Sequence, residues 1–324
     1  MPVPQMSQMH ELVRNQFVSH KLKIPPDWQP PSPGSLLELH YKKFAFKPEE
    51  LLTIPGLPGK PNLFSASTAN HYHTEAQKFL ISKYDDFMNH TTTQLCDVWD
   101  KWQKSATITN VVVNGPVATG GQLVGPPMLP MLMAKVPLQR MMAKYYTVAT
   151  TVLSTAWMAF QSSVKIPALP LYPQLAMFPG PSVPPFANTV QVPVGQLAHM
   201  PNFLSKYVTQ KAMVSMLDHK EAEYKERIQR ALGNAKSKVM GRMPSLPGVN
   251  GTWLDTPPMP TGPFAGELFD SISHAFENCF NQWKSSTLVS KLMVTGPVPS
   301  FAPPATPAGP IVGGLANMIP GGLT

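Results

Sequence analysis

Apolar positions recur at helical spacing over some stretches of this chain, and proline forbids helix over others. Met6, Met9, Leu12, Val13 and Phe17 predict a short helix within residues 1–23. From Thr74 to Ser105 a broad apolar stripe predicts a long helix: Phe79, Leu80, Tyr84, Phe87, Met88, Leu95, Val98, Trp99 and Trp102. Residues 138–163 are apolar nearly all round, which places a second helix at the centre of the packing. An amphipathic helix, charged in its second half, is expected from about Phe203 to Met240, and a last one over 267–286. The stretches 24–35, 47–62, 164–202 and 243–266 are dense in proline and glycine. Proline fixes φ and removes an amide donor, so 24–35 is expected to be an extended strap, 47–62 a connector with a short turn of helix, 164–202 an extended or turning strap that packs without a sheet, and 243–266 a loop. The β-branched run before Gly115 reads as a short strand and residues 118–132 as irregular. The expected fold is mainly α, with three to four long helices in a degenerate internal repeat, long Pro/Gly-rich extended straps between them and few short strands.

The repeat lies in how the helices end. "CDVWDKWQKSATITNVVVNGPV" (96–117) and "ENCFNQWKSSTLVSKLMVTGPV" (277–298) align without gaps, matching at Trp102/Trp283, Ser105/Ser286, Val113/Val294 and the closing Gly-Pro-Val. Trp99 faces Phe280 in this alignment, and a third helix ends alike, with Trp157, Phe160, Gln161 and Ser163. Aromatic residues three apart share one helix face. One such helix cannot bury its own stripe, whereas three can bury each other. Trp99, Trp102, Trp157, Phe160, Phe280 and Trp283 are therefore read as a repeated packing seam, and Gly115–Pro116 and Gly296–Pro297 as joints between helix and strap. Four sections follow: 1–73, an N-terminal helix with Pro-rich straps; 74–202, the first and second helix-strap units; 203–266, an inserted charged helix and Pro/Gly loop; 267–324, the third unit with an apolar Gly/Pro tail.

Composition sharpens this picture. The 324 residues include Pro 38 and Met 19, and only 14% are charged, against about 25% in ordinary globular proteins. Such a chain has few solvated faces and packs against partners or is rich in loops. The net charge is +8, but the basic residues are dispersed. Their densest run, 220–242, alternates with Glu as an ion-paired helix face does, so specific nucleic-acid binding is not expected. Cys96 and Cys279 are read as buried thiols. The N-terminus lacks the basic start and apolar core of a signal peptide, so cytoplasmic synthesis is expected.

Candidate chemistry is sparse. His71 and His73, two apart and close to Glu75, are the candidate metal ligands, yet no second cluster supplies the third ligand of a catalytic site. Asp85, Asp86 and His90 share a helix and could form an acid/base group, though a polar helix face accounts for them. The glycine-rich stretches lack the Lys-Ser/Thr ending of a phosphate loop. No cofactor and no catalytic residues are expected. The reading is a structural or assembly protein that packs against itself or protein partners. By composition it suits a phage particle or a contractile injection machine. "ITNVVVNGPVATGG" is loosely similar to the short strands and turns of spike-tip proteins but lacks their signature residues, so no family is assigned. The alternatives are a membrane-active or pore-associated protein inserting the apolar helix 138–163, and an enzyme with an unrecognised site.

Overall fold

In the computed structural model, which describes residues 5–22, 74–138, 140–197, 204–240, 264–302 and 308–324, the long helices fall where their periodicity places them. Helix α1 (Met6–Ser19) buries Met9, Val13 and Phe17 on one face. Helix α2 (Thr74–Ser105) buries the stripe from Tyr84 through Trp102. A short helix α3 (Met128–Met133) precedes α4 (Arg140–Ser163), in which Tyr146, Ala149, Leu153, Trp157 and Phe160 are buried. Helix α5 (Lys206–Met240) inserts Met213 and Leu217 into the core, and α6 (Ala265–Ser286) buries Leu268, Phe269, Ile272, Phe276, Cys279, Phe280 and Trp283 at three- and four-residue steps. The three helices that share the aromatic phrase stop at its serines, Ser105, Ser163 and Ser286. Each serine hydroxyl donates to a carbonyl three or four residues back, which satisfies an acceptor in the last turn.

The strands correct the expectation of a mainly α chain: the fold is mixed α/β. In chain order they are β1 (Thr107–Asn114), β2 (Val117–Val124), β3 (Ile166–Pro170), β4 (Phe178–Pro179), β5 (Ser182–Ala187), β6 (Val192–Pro193), β7 (Leu288–Val289), β8 (Leu292–Pro297), β9 (Ala308–Gly309) and β10 (Val312–Met318). Six of them build one antiparallel sheet in the order β3-β2-β1-β10-β8-β5, while β4 pairs with β9 and β6 with β7. The irregular segment expected over 118–132 is instead β2 followed by α3.

Of the Pro/Gly-rich stretches, 24–35, 47–62 and 243–263 lie outside the described residues, while 164–202 supplies β3 and β5 to the sheet for identifiable reasons. Four of its prolines sit on the edge strands: Pro167 and Pro170 in β3, Pro184 and Pro185 in β5. At an edge a missing amide costs no ladder bond when that side faces outward. The glycine-rich tail forms β10, a central strand between β1 and β8. There Gly314 faces Gly296, and a Cβ on either would crowd Ile311 or a strand carbonyl. Glycine is thus required by close approach, a reason that local propensity does not register. Because β1 pairs with β10 at Val111↔Ala316 and β5 with β8 at Ala187↔Met293, residues from 74–202 and from 267–324 share this one sheet.

One face of the sheet carries Ile108, Val111, Val113, Ala118, Leu123, Val294, Ala316 and Met318, all buried in a core continuous with the helices. Val112, Thr119, Gln122, Leu315 and Asn317 are exposed on the other side; the period-two alternation is interrupted in β1 and β2 at Asn110, Gly120 and Gly121, which take positive φ. None of the six strands contains Lys, Arg, Asp or Glu.

Candidate functional site

The three aromatic phrases meet. Trp157 of α4 lies with its ring centroid 5.0 Å from Trp99 and 4.8 Å from Trp102 of α2, and 5.8 Å and 5.9 Å from Phe280 and Trp283 of α6. Phe160 lies 4.9 Å from Phe280, and Phe276, which the aligned phrase did not single out, stands 5.2 Å from Trp99. Most of these pairs are edge-on or tilted, the arrangement that sets a positive ring edge against a negative face. The glutamines beside the aromatics link the units: Trp283 Nε1–H donates to Gln103 Oε1 at 2.8 Å, and Trp102 Nε1–H donates to Gln161 Oε1 at 3.2 Å. Gln103 in turn donates to the Leu323 carbonyl at 3.1 Å, tying the seam to the tail. Among the described residues the indole N–H groups of Trp99 and Trp157 are buried without a hydrogen-bond partner.

The Gly-Pro pairs diverge. Gly115 and Pro116 form the two-residue turn of the β1–β2 hairpin, with Gly115 at φ +62°. A positive φ at the first central position is what a II′ hairpin turn requires. Gly115 N–H donates to the Ile311 carbonyl at 2.6 Å, Tyr172 donates its hydroxyl proton to the Gly115 carbonyl, and Leu171 N–H donates to the Pro116 carbonyl at 2.8 Å. Gly296 and Pro297 lie instead within β8, opposite Val183 and Ser182 of β5. The matched phrase therefore marks a turn in one copy and a strand end in the other. Neither pair sits where a helix stops.

Two buried ionic groups, not anticipated from the sequence, hold α1 against its neighbours. Arg14 Nη1 pairs with Asp85 Oδ1, with His10 Nε2 at 3.7 Å from the same oxygen. Asp270 accepts a hydrogen bond from Gln16 Nε2 at 3.0 Å, with Lys206 Nζ at 3.1 Å and the His20 Nε2 atom 3.2 Å away. The available signal was an arginine on the apolar side of α1, beside Val13 and close to Phe17; its partners come from sequence positions far away. Asp85 is thereby committed to Arg14, while His90 bonds the Lys135 carbonyl at 2.9 Å and lies against Tyr146. The acid/base grouping of Asp85, Asp86 and His90 is not assembled.

Burial raises the Asp270 carboxyl, but the hydrogen bonds from Gln16 and Lys206 and the charges of Lys206 and His20 outweigh it and hold the group below the ordinary carboxylate range. A carboxyl depressed on folding stabilises the fold above its unfolded value of about 3.9. That stabilisation is lost as pH falls through the folded value. Thermal melts of the native chain and Asp270→Asn should therefore differ most at neutral pH and converge below about pH 4. A gap that stays constant or widens on acidification would contradict this assignment.

Burial pushes the Cys96 thiol up to about 12, with Cys279 adding to the effect, and the Cys279 thiol up to about 11. Both therefore remain protonated near neutral pH, which withholds the thiolate that nucleophilic or metal chemistry needs. His71 and His73 lie outside the described residues. Among the described residues no group of three His, Cys, Asp or Glu is placed to hold a metal ion. A shallow groove of about 350 Å³ between the end of β2 and α4 is lined by Gln122, Leu123, Gly125, Pro127, Met158, Gln161 and Ser162; it contains no charged or nucleophilic cluster. No family model, characterised protein or solved structure matches this chain.

Proposed function

We propose that the chain is a structural or assembly protein whose work is to pack, against itself or against protein partners. The observation that carries the reading is the six-stranded sheet. One face is buried in the core, and the other exposes Val112 and Leu315 at its centre without a single charged residue in any strand. An antiparallel sheet with one face in water ordinarily alternates apolar-in with polar-out. The aromatic seam supports the reading from within, because interlocked rings give a rigid block on which such a face is displayed. A phage particle or a contractile injection machine is the kind of assembly the composition suits.

The membrane alternative draws no support from α4, whose Tyr146, Ala149, Leu153, Trp157 and Phe160 are spent on the core. No described helix is long and apolar enough to cross a membrane. The test is light scattering on the purified full chain, alone and co-expressed with the products of neighbouring genes. The expected result is a particle heavier than the 35.5 kDa chain in at least one of the two preparations. A 35.5 kDa monomer in both would overturn the proposal.

A further inference from the structure

We infer that the outer face of the six-stranded sheet binds a second copy of this chain, sheet against sheet, about a two-fold axis that runs along the strands between β1 and β10. The inference rests on the assembly reading above and names its surface and its partner.

Strand register supplies the geometry. Thr119 lies opposite Val112, Val112 opposite Leu315, and Leu315 opposite Thr295. One row, Thr-Val-Leu-Thr, thus crosses four neighbouring strands on the outward face. Val112 and Leu315 are 40% and 56% exposed at the middle of the sheet. Several polar groups of the same face are already engaged: Asn317 Oδ1 accepts from the Asn110 amide at 3.1 Å, Asn114 Oδ1 from the Gly313 amide at 2.8 Å, and Thr295 donates its hydroxyl proton to the Val183 carbonyl at 2.8 Å. Covering this face therefore strips water from fewer unpaired groups than its composition suggests.

Three arguments select the occupant. The edge strands β3 and β5 each carry two prolines, which disfavour growth of the sheet by edge pairing and leave the face as the surface for contact. The chain carries a net charge of +8, none of it on these strands, so the face suits a partner surface that is itself uncharged, as the same face of another copy is. The row is also self-complementary. Rotation about an axis parallel to the strands, midway between β1 and β10, sets Val112 over Leu315 of the second copy and Thr119 over its Thr295. Apolar meets apolar and hydroxyl meets hydroxyl, as an isologous interface requires. Strands about 4.8 Å apart and about 20 Å long give a six-stranded face of about 600 Å². Two such faces bury about 1,200 Å², the lower bound for a specific pair.

The test is sedimentation equilibrium of the full chain, with Val112→Lys, Leu315→Lys and the double variant Val112→Lys/Leu315→Glu, each checked for native melting by circular dichroism. Dimeric native chain is expected. Each single lysine, placed uncompensated in the covered interface, should weaken dimerisation by about 100-fold or more. The double variant should recover most of the loss, because each Lys then faces a Glu of the second copy. Maleimide labelling of Val112→Cys should be slow in the dimer and fast on dilution, against Cys96 and Cys279 as buried, slow-reacting controls. An oligomer indifferent to all three variants would overturn the face while leaving the assembly reading intact. A native monomer whose Val112→Cys labels fast would overturn dimerisation, and the co-expression experiment then decides the assembly reading separately. A monomer in which that cysteine is protected would place the occupant within the same chain and equally overturn the inference.

Discussion

Replacing Trp157 by alanine is expected to lower the unfolding free energy by about 3–5 kcal/mol, the range for deleting a large buried aromatic side chain. A domain has about 5–15 kcal/mol in total, so the variant should be unfolded or close to it at physiological temperature. The expectation rests on position more than on area. Six rings from three helices surround this indole: Trp99, Trp102, Phe160, Phe276, Phe280 and Trp283. Its removal leaves a cavity at the one place where the three helix ends meet, and a cavity costs most where neighbours cannot collapse into it. Trp157→Phe should be far milder, about 1–2 kcal/mol, because it keeps a ring and removes an N–H that is buried without a partner. Met158→Ala, at the exposed next position of α4, should change stability by less than about 0.5 kcal/mol. Denaturant unfolding followed by circular dichroism checks the series. Equal losses for Trp157→Ala and Met158→Ala would show that the seam is not where the fold is held.

Removing the carboxylate of Asp85 should cost about as much, by another mechanism. The Arg14 side chain is 4% exposed and pairs with Asp85, so Asp85→Ala takes a carboxylate away from a buried charge, a loss of about 3–5 kcal/mol. The pair as such is worth much less. Replacing both partners by apolar residues of similar volume, as in Arg14→Met/Asp85→Leu, should restore most of the stability, because neither charge then has to be desolvated. A double-mutant cycle measures this directly. Additive losses in the cycle would mean that the two residues act independently. The effect should concentrate at α1, whose amides should exchange with deuterium faster in Asp85→Ala than those of α6.

Much of the helical half of this protein is legible in its sequence, and the reason is local. Trp99 and Trp102, Trp157 and Phe160, and Phe280 and Trp283 stand three apart, which fixes a shared face before any tertiary contact forms. Their recurrence before a serine identifies three helix ends that need one another, and the structure brings those residues into one cluster. The Gly-Pro pairs show where the same reasoning stops. Gly115 and Gly296 are aligned letter for letter, yet the first turns a hairpin at positive φ and the second lies in a strand where Gly314 approaches. Proline had a similar effect on the reading. Pro184 and Pro185 exclude helix wherever they occur, but whether they exclude a strand depends on an edge position that the local sequence does not specify. The ionic groups at Asp85 and Asp270 were illegible for the same reason, since Arg14 and Gln16 reach them across 71 and 254 residues.

By itself, then, the sequence determined the helices, their endings, the faces they bury and the segments that cannot be helical, because those properties follow from neighbours three or four residues apart. Only the tertiary structure decided that the segments holding Pro167, Pro184 and Gly314 join one sheet, which strand lies at its centre and which face stays open. Strand pairing is settled between residues as distant as Val111 and Ala316. A segment such as "VGGLANM" has weak strand propensity of its own and becomes a strand where two others leave it a place.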